Sequence, residues 1–243
     1  MSDSIFNLTA LSERLFAEGH LQSLAGKIQR AQELASLHAD LMMAIETLDA
    51  LDALTATPAA PDDFARSITE AALMSNAVVL YARATKTKSD ERNDFDLSSR
   101  FSPEEKVVHQ ELVDLRDKAI AHFGSGGSYL GEWKAELVVL EASVKGDGRV
   151  GVATRRKMLD KNLVKRARVQ IEKACTLMRG ISREKVDEVT DELNKLAAED
   201  IVQINKEIHQ HPLNFPVFLT SPDAAEVARS ARGDYVKGIV KHA

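Results

Sequence analysis

The segment from Ser102 to Gly124 carries both the start and the stop signal of a helix. Ser102 is a natural N-cap, and the proline and glutamate one and three residues later suit the first helical position and a capping box. Gly124 and the Gly/Ser run after it cannot continue the helix. Apolar residues recur between them at the three-to-four spacing of a buried stripe: Val108, Leu112, Leu115, Ala119 and Phe123. We therefore expect a helix that packs into the core and organises the rest of the chain.

The first hundred residues also favour helices. A short helix is expected to end near Gly19, and a long amphipathic helix to run from Leu21 to about Leu54. The next helix should begin at Asp62 or Asp63 and extend to about Lys86; it is nearly all apolar from Ala71 to Tyr81, so it should lie centrally in the bundle. The segment from Thr87 to Arg100 is polar and aperiodic, so it is predicted to be a loop.

The pattern changes after the central helix. Ala135–Val144 and Arg149–Thr154 are β-prone runs, and the Lys-Gly-Asp-Gly sequence between them is typical of a hairpin turn. Helical spacing returns from about Lys157 to Met178. Gly180 is predicted to break this helix, and a last long helix should run from Ser182 to about Gln210.

These elements predict a mainly α fold: a helical bundle with an inserted β-hairpin near residues 134–156 and a helical C-terminal extension. We expect residues 1–180 to form the helical domain and residues 181–243 to form the long helix and tail. With 243 residues, 44% hydrophobic and 28% charged, the chain can bury a sizeable core and has the composition of a soluble globular protein.

The composition also excludes several classes of protein. The single Cys175 excludes an internal disulfide framework and a cysteine-based zinc site, and it fits a reducing cytosol. The longest apolar runs are far too short for a membrane span, and no secretory signal is visible. The net charge of -5 argues against a wholly basic nucleic-acid coat, although local patches remain open. We expect a cytoplasmic protein that does not bind membranes.

Arg116, Asp117 and His122 are the candidate site residues on the organising helix. Six residues separate the arginine from the histidine, which places them about 120° apart around a helix, on the two walls of one cleft. The bare spacing is weak, because Arg14 and His20 match it by accident. The capped helix, its apolar frame and the polar Asp117 directly after the arginine distinguish the first match.

The sequence LRDKAIAHF at residues 115–123 resembles the signature of HEPN-domain proteins, in which an arginine followed by Asn, Asp or His precedes a histidine on an inner helix. The wider layout is similar too, from about Leu21 to Gly180: a helix ending in LYARA, a polar loop, the motif helix, a hairpin and a further helix. The resemblance implies a HEPN-type bundle and a metal-independent endoribonuclease without a cofactor. It implies a homodimer whose protomers pair their motif helices around a shared cleft, with a toxin or antiviral defence effector as the biological role.

The resemblance assigns roles to single residues. Arg116 and His122 match the two signature positions, and Asp117 matches the polar position. RNA carries its own nucleophile, the 2′-hydroxyl, and a histidine can remove that proton or protonate the leaving oxygen. An arginine forks onto phosphate oxygens and stabilises charge that grows in the transition state, while Asp117 would orient either group. The supporting residues are His109, Lys118 and Arg83, with His109 expected to be structural more often than catalytic.

Other interpretations stay open. Arg116 and Asp117 are also what a solvated helix face would show, and His122 suits a helix C-terminus for its dipole alone. HEPN relatives exist that have lost catalysis, so the alternative is a catalytically silent module that binds RNA, a nucleotide or a partner protein. A helical scaffold without a site is the third interpretation. Some HEPN toxins carry a tyrosine two residues after the histidine for control by a nucleotidyltransferase; this chain has Gly124 there, so no such control is inferred.

A basic stretch is the second signal. Between Lys145 and Lys173 there are ten Lys or Arg residues and three acidic residues. Five of the basic residues are candidates for tracking an RNA backbone: Arg155, Arg156, Lys157, Lys161 and Lys165. An equally supported interpretation is that these residues form a solvated helix face whose positive charge is balanced by the acidic last helix.

Overall fold

A computed structural model of the chain describes residues 5–58, 60, 63–89, 92–117, 134–142, 148–156 and 160–220. The described residues are mainly helical, as predicted. The helices are α1 (Leu8–Glu18), α2 (Gln22–Ala56), α3 (Phe64–Thr85), α4 (Pro103–Leu115), α5 (Lys161–His209) and the single turn α6 (Phe215–Phe218). Two antiparallel hairpins accompany them, β1 (Lys86–Ser89) with β2 (Arg92–Asp96) and β3 (Lys134–Ala142) with β4 (Gly148–Arg156).

The chain folds into two compact units that do not follow its order in sequence. Unit 1 combines residues up to Gln32 with those from Arg183 onward, and unit 2 is the continuous segment Glu33–Ser182. From sequence we expected one domain over residues 1–180, whereas the first 32 residues pack with the C-terminal segment. The reason is a shared apolar core, since the buried side chains of Leu11 and Leu24 cluster with Val189.

Unit 1 is closed by polar contacts between its two chain segments. The Asn7 amide donates to the His211 carbonyl, and the Leu213 amide donates to the Ile5 carbonyl, both at 2.8 Å. Lys27 forms an ion pair of 2.6 Å with Glu192. Pro212 follows the end of α5 and also lies beside the first described residues, where it forms a β-bridge with Phe6.

Unit 2 holds the larger core, and α3 is central to it as the sequence predicted. Ala77, Val78, Tyr81 and Ala84 of α3 are fully buried. The other elements contribute buried side chains to the same cluster: Leu34, Leu41 and Leu48 from α2, Leu112 and Leu115 from α4, and Leu163, Ile171 and Met178 from α5. The apolar stripes of α2 and α4 therefore face the core as expected.

The start of α4 follows its local sequence signals. The Ser102 hydroxyl accepts the Glu105 amide at 3.2 Å, and the Glu105 carboxylate accepts the Ser102 amide at 2.8 Å. This is the predicted capping box, with Pro103 at the first helical position. The backbone is still helical at Arg116, with φ −58° and ψ −50°. The predicted continuation to Gly124 lies outside the described residues.

Two predictions of secondary structure were wrong. The expected loop from Thr87 to Arg100 contains β1, β2 and a 3₁₀ turn, Leu97–Arg100. The strands are anchored by Phe95, which pairs with Thr87 and packs against the core of unit 2. Such short strands lack the alternation needed for recognition from sequence.

The second correction concerns Gly180, which does not break a helix. It lies within α5, which runs without interruption from Lys161 to the non-helical Asp200 (φ −152°, ψ 89°). One exposed glycine costs a helix only about 1 kcal/mol relative to alanine, which the burial of Met178 and Ser182 on either side offsets. The true irregularity is an internal N-cap, because the Asp200 carboxylate accepts the Gln203 amide at 2.9 Å.

Candidate active site and basic surface

Arg116 and Asp117 stand at the described end of α4. The buried Leu112 and Leu115 fix the preceding turn, so that the two polar side chains emerge where the helix leaves the core. Arg116 Nη1 lies 2.6 Å from Asp117 Oδ1, and each side chain is 46% exposed. The pair holds the guanidinium at the surface and leaves its other N–H groups for solvent or an anionic ligand. His122 and Lys118 lie outside the described residues, so their distance from Arg116 stays an expectation.

His109 lies earlier on the same helix and is buried, whereas the side chains of Arg116 and Asp117 are nearly half exposed. Its ring is 5% exposed and packs against Phe101, with 5.3 Å between the ring centroids. The Tyr81 hydroxyl lies 2.8 Å from His109 Nδ1, and Gln170 Nε2 donates to that hydroxyl at 3.1 Å. His109 is therefore held in the core by contacts with α3 and α5.

The Tyr81 hydroxyl can donate to Nδ1 of His109 or accept from it, because a phenol oxygen that accepts from Gln170 has a second lone pair. If the hydroxyl donates, the neutral imidazole carries its proton on Nε2. Burial lowers the pKa of His109; the Asp96 carboxylate opposes this shift and the Lys86 ammonium reinforces it. Burial also raises the pKa of Tyr81, so the phenol stays protonated.

A cleft of about 260 Å³ opens beside His109. Six residues line it, from the first hairpin, the 3₁₀ turn and α4: Lys86, Asp96, Ser98, Lys106, His109 and Gln110. Asp96 Oδ1 accepts the Ser98 amide at 2.7 Å, and hydrogen bonding by Ser98 lowers the pKa of Asp96. Apart from His109, sequence reasoning missed all of these residues, because the hairpin that brings Lys86 and Asp96 to α4 was not predicted.

Arg83, a supporting candidate, is engaged elsewhere. Its Nε donates to Asp40 Oδ2 at 2.7 Å and its Nη2 contacts the other carboxylate oxygen, so the two side chains form a bidentate ion pair. The hydrogen bonds to Asp40 raise the pKa of Arg83. The arginine is half exposed and the aspartate is buried, which makes the pair a link between α3 and α2.

The basic stretch is only partly neutralised. Three of its α5 cations pair with carboxylates of α4 and α2: Arg166 with Glu111 at 2.6 Å, Arg168 with Asp49 and Asp52 at 2.8 Å each, and Lys173 with Glu105 at 3.6 Å. Lys161 and Lys165 are exposed, and no carboxylate among the described residues pairs with them. Arg155 and Arg156 lie at the end of β4, opposite Ala135 and Lys134. Lys157 and the side chains of both arginines lie outside the described part.

The described residues contain no group of three His, Cys, Asp or Glu side chains placed to hold a metal ion. Within the same part of the chain, no helix combines the length and the apolar character needed to cross a membrane. Comparison of the chain with protein-family models, with curated proteins and with solved structures found no match. The likeness to HEPN-domain proteins therefore rests on the motif at residues 115–123 and on the layout around it.

Proposed function

We propose that this protein is a metal-independent endoribonuclease of HEPN type that acts as a homodimer. The observation that carries the proposal is the Arg116–Asp117 pair, which α4 holds at the surface with 2.6 Å between guanidinium and carboxylate. An arginine that is fixed by a neighbouring carboxylate and still has free N–H groups suits a phosphodiester. The capped, well-packed α4 supplies the rigid support that a catalytic group needs.

The proposed reaction uses the substrate's own nucleophile. His122 of one protomer accepts the proton of the 2′-hydroxyl, and the 2′-oxygen forms a bond to the adjacent phosphorus. The bond from phosphorus to the 5′-oxygen breaks, and His122 of the other protomer donates a proton to that oxygen. Arg116 stabilises the charge on the phosphoryl oxygens, and Asp117 orients Arg116. The products are a 2′,3′-cyclic phosphate and a free 5′-hydroxyl, so atoms and charge balance without a metal.

The test is RNA cleavage by the purified full chain in excess EDTA, with the variants Arg116→Ala and His122→Ala. Two substitutions outside the motif serve as matched controls: His20→Ala, in the accidental copy of the spacing, and Arg179→Ala, an exposed arginine of α5. We expect 2′,3′-cyclic ends from the unaltered protein and from both controls. Loss of about 100-fold or more is expected in each motif variant, the usual size of acid–base and charge-stabilising effects.

The alternative is a module that binds RNA, a nucleotide or a protein without cleaving it. Cleavage that persists in His122→Ala would rule out the mechanism above. Retained RNA binding by the dimer without any cyclic-phosphate product would establish the binding module instead. A monomeric protein that neither binds nor cleaves RNA would contradict both the ribonuclease and the RNA-binding module.

A further inference from the structure

Every residue that lines the cleft beside α4 carries a polar or charged group. Two ammonium groups (Lys86 and Lys106), an imidazole (His109), a hydroxyl (Ser98), an amide (Gln110) and one carboxylate (Asp96) border its volume of about 260 Å³. A cleft of that size with several hydrogen-bond donors suits a small anionic group.

The back wall of the cleft presents an imidazole nitrogen. His109 is 5% exposed, and its Nδ1 is taken by the Tyr81 hydroxyl. His109 lines the cleft, and its Nε2 makes no hydrogen bond to another described residue. When the Tyr81 hydroxyl donates to Nδ1, or when the ring is protonated, Nε2 carries a proton.

The charge of the lining favours an anion. Asp96 is already committed, since its Oδ1 accepts the Ser98 amide at 2.7 Å. It offsets one of the two lysines, which leaves one positive charge with His109 neutral and two with His109 protonated. The lining offers donors from both lysines, the imidazole, the hydroxyl and the amide, which is the complement of an oxyanion with several acceptor oxygens.

We propose that the cleft formed by Lys86, Ser98, Lys106 and His109 binds the phosphate group of a small phosphorylated compound. Lys86 and Lys106 supply the charge, and His109 Nε2–H donates one hydrogen bond from a fixed position. The volume admits a phosphate with a small substituent but not a folded polynucleotide. This site does not depend on the proposed ribonuclease function, because it uses neither Arg116 nor His122.

The experiment is a titration of the full chain, labelled with ¹⁵N in histidine, with inorganic phosphate at constant ionic strength. The imidazole signals of His109 report binding, and sodium chloride and sodium sulfate are titrated in parallel. The variant Lys106→Gln removes one proposed ligand from an exposed position, so it retains the fold, and Lys86→Gln removes the other. Lys195→Gln, an exposed lysine of α5 in unit 1, is the matched control.

We expect a saturable shift of the His109 signals with phosphate, with affinity reduced about tenfold in Lys106→Gln and in Lys86→Gln and unchanged in Lys195→Gln. Shifts that chloride reproduces, or equal affinity in all three lysine variants, would overturn the proposal. A second arm uses glycerol 3-phosphate, a monoester with a small substituent. Tighter binding of this monoester than of inorganic phosphate identifies a phosphorylated metabolite as ligand, and equal binding identifies the free anion. Ribonuclease assays of the same variants separate this site from the proposed active site.

Discussion

The hydroxyl of Tyr81 and Nδ1 of His109 lie 2.8 Å apart inside unit 2, although 28 residues separate them in the chain. Tyr81 is fully buried on α3, and His109 is 5% exposed on α4. Their hydrogen bond satisfies two polar groups that burial would otherwise leave without partners, and Gln170 of α5 adds a third. Three helices are therefore joined at one polar point in an apolar core.

Replacing Tyr81 with phenylalanine should destabilise the protein by about 1–3 kcal/mol, because the change leaves His109 Nδ1 and the Gln170 amide buried without a partner. The measurement is the free energy of unfolding from urea titration. Val152→Thr, on a strand residue that is 71% exposed, is a control expected to change stability by no more than about 0.5 kcal/mol. A Tyr81→Phe protein as stable as this control would show that the hydrogen bond contributes nothing.

Stability should rise with pH across the range in which His109 titrates. Burial lowers its pKa in the folded state, so between that pKa and the ordinary value of 6.5 the unfolded chain binds more protons than the folded one. Acidification through this window therefore favours unfolding. The charges that face the ring are those of Asp96 and Lys86. Comparing the thermal midpoint at pH 5 and pH 7.5 with that of His109→Gln isolates the effect, and an equal pH dependence in both proteins would assign it to other groups.

The two arginine–aspartate pairs should respond differently to truncation. Arg83→Ala leaves the buried carboxylate of Asp40 without its bidentate partner, and we expect a loss of about 1.5–3 kcal/mol. Arg116→Ala separates a pair in which both side chains are 46% exposed, and we expect a loss of about 1 kcal/mol or less. Urea titration of both variants provides the check. A large loss in Arg116→Ala would mean that this residue supports the fold, and its effect on cleavage could then not be attributed to chemistry.

The exposed Lys161 and Lys165 of α5 should contribute to RNA binding through phosphate contacts. Replacing both with glutamine should reduce the slope of log K against log salt by about 1.4, since each contact to single-stranded RNA contributes about 0.7. The measurement is fluorescence anisotropy of a labelled RNA between 50 and 200 mM salt, a range of about fourfold. Lys173→Gln is the control, because Glu105 already neutralises that lysine. Identical slopes in all proteins would exclude this surface from the RNA path.

Sequence patterns predicted the parts of the fold that interactions between neighbouring residues determine. The Ser102 cap, the stripe through Leu112 and the two strands on either side of the Lys-Gly-Asp-Gly sequence could be recognised because neighbouring residues specify them. Gly180 misled because packing on the core overrode a weak intrinsic preference, whereas Asp200 supplied an N-cap that the periodic pattern concealed.

The candidate sites show the same limit. Arg116 and Asp117 are adjacent in sequence, so their pairing follows from the motif. The cleft requires Lys86 and Asp96 to lie opposite each other in the first hairpin and beside His109, and only tertiary structure brings those elements together. The partner of His109 could not be predicted either, because many buried hydroxyls would satisfy an imidazole equally well.

Unit 1 is built from two segments that are far apart in the chain, and this affects the order in which the chain folds. The core of unit 2 needs only residues within Glu33–Ser182, so a nascent chain can complete it while synthesis continues. Leu11 and Leu24 can complete their core only after Val189 and Ile204 have been synthesised, about 165 to 193 residues later in the chain. During that interval the apolar face of α1 can pack only against the start of α2, where Leu24, Ala25 and Ile28 lie, so unit 1 lacks the part of its core that α5 supplies.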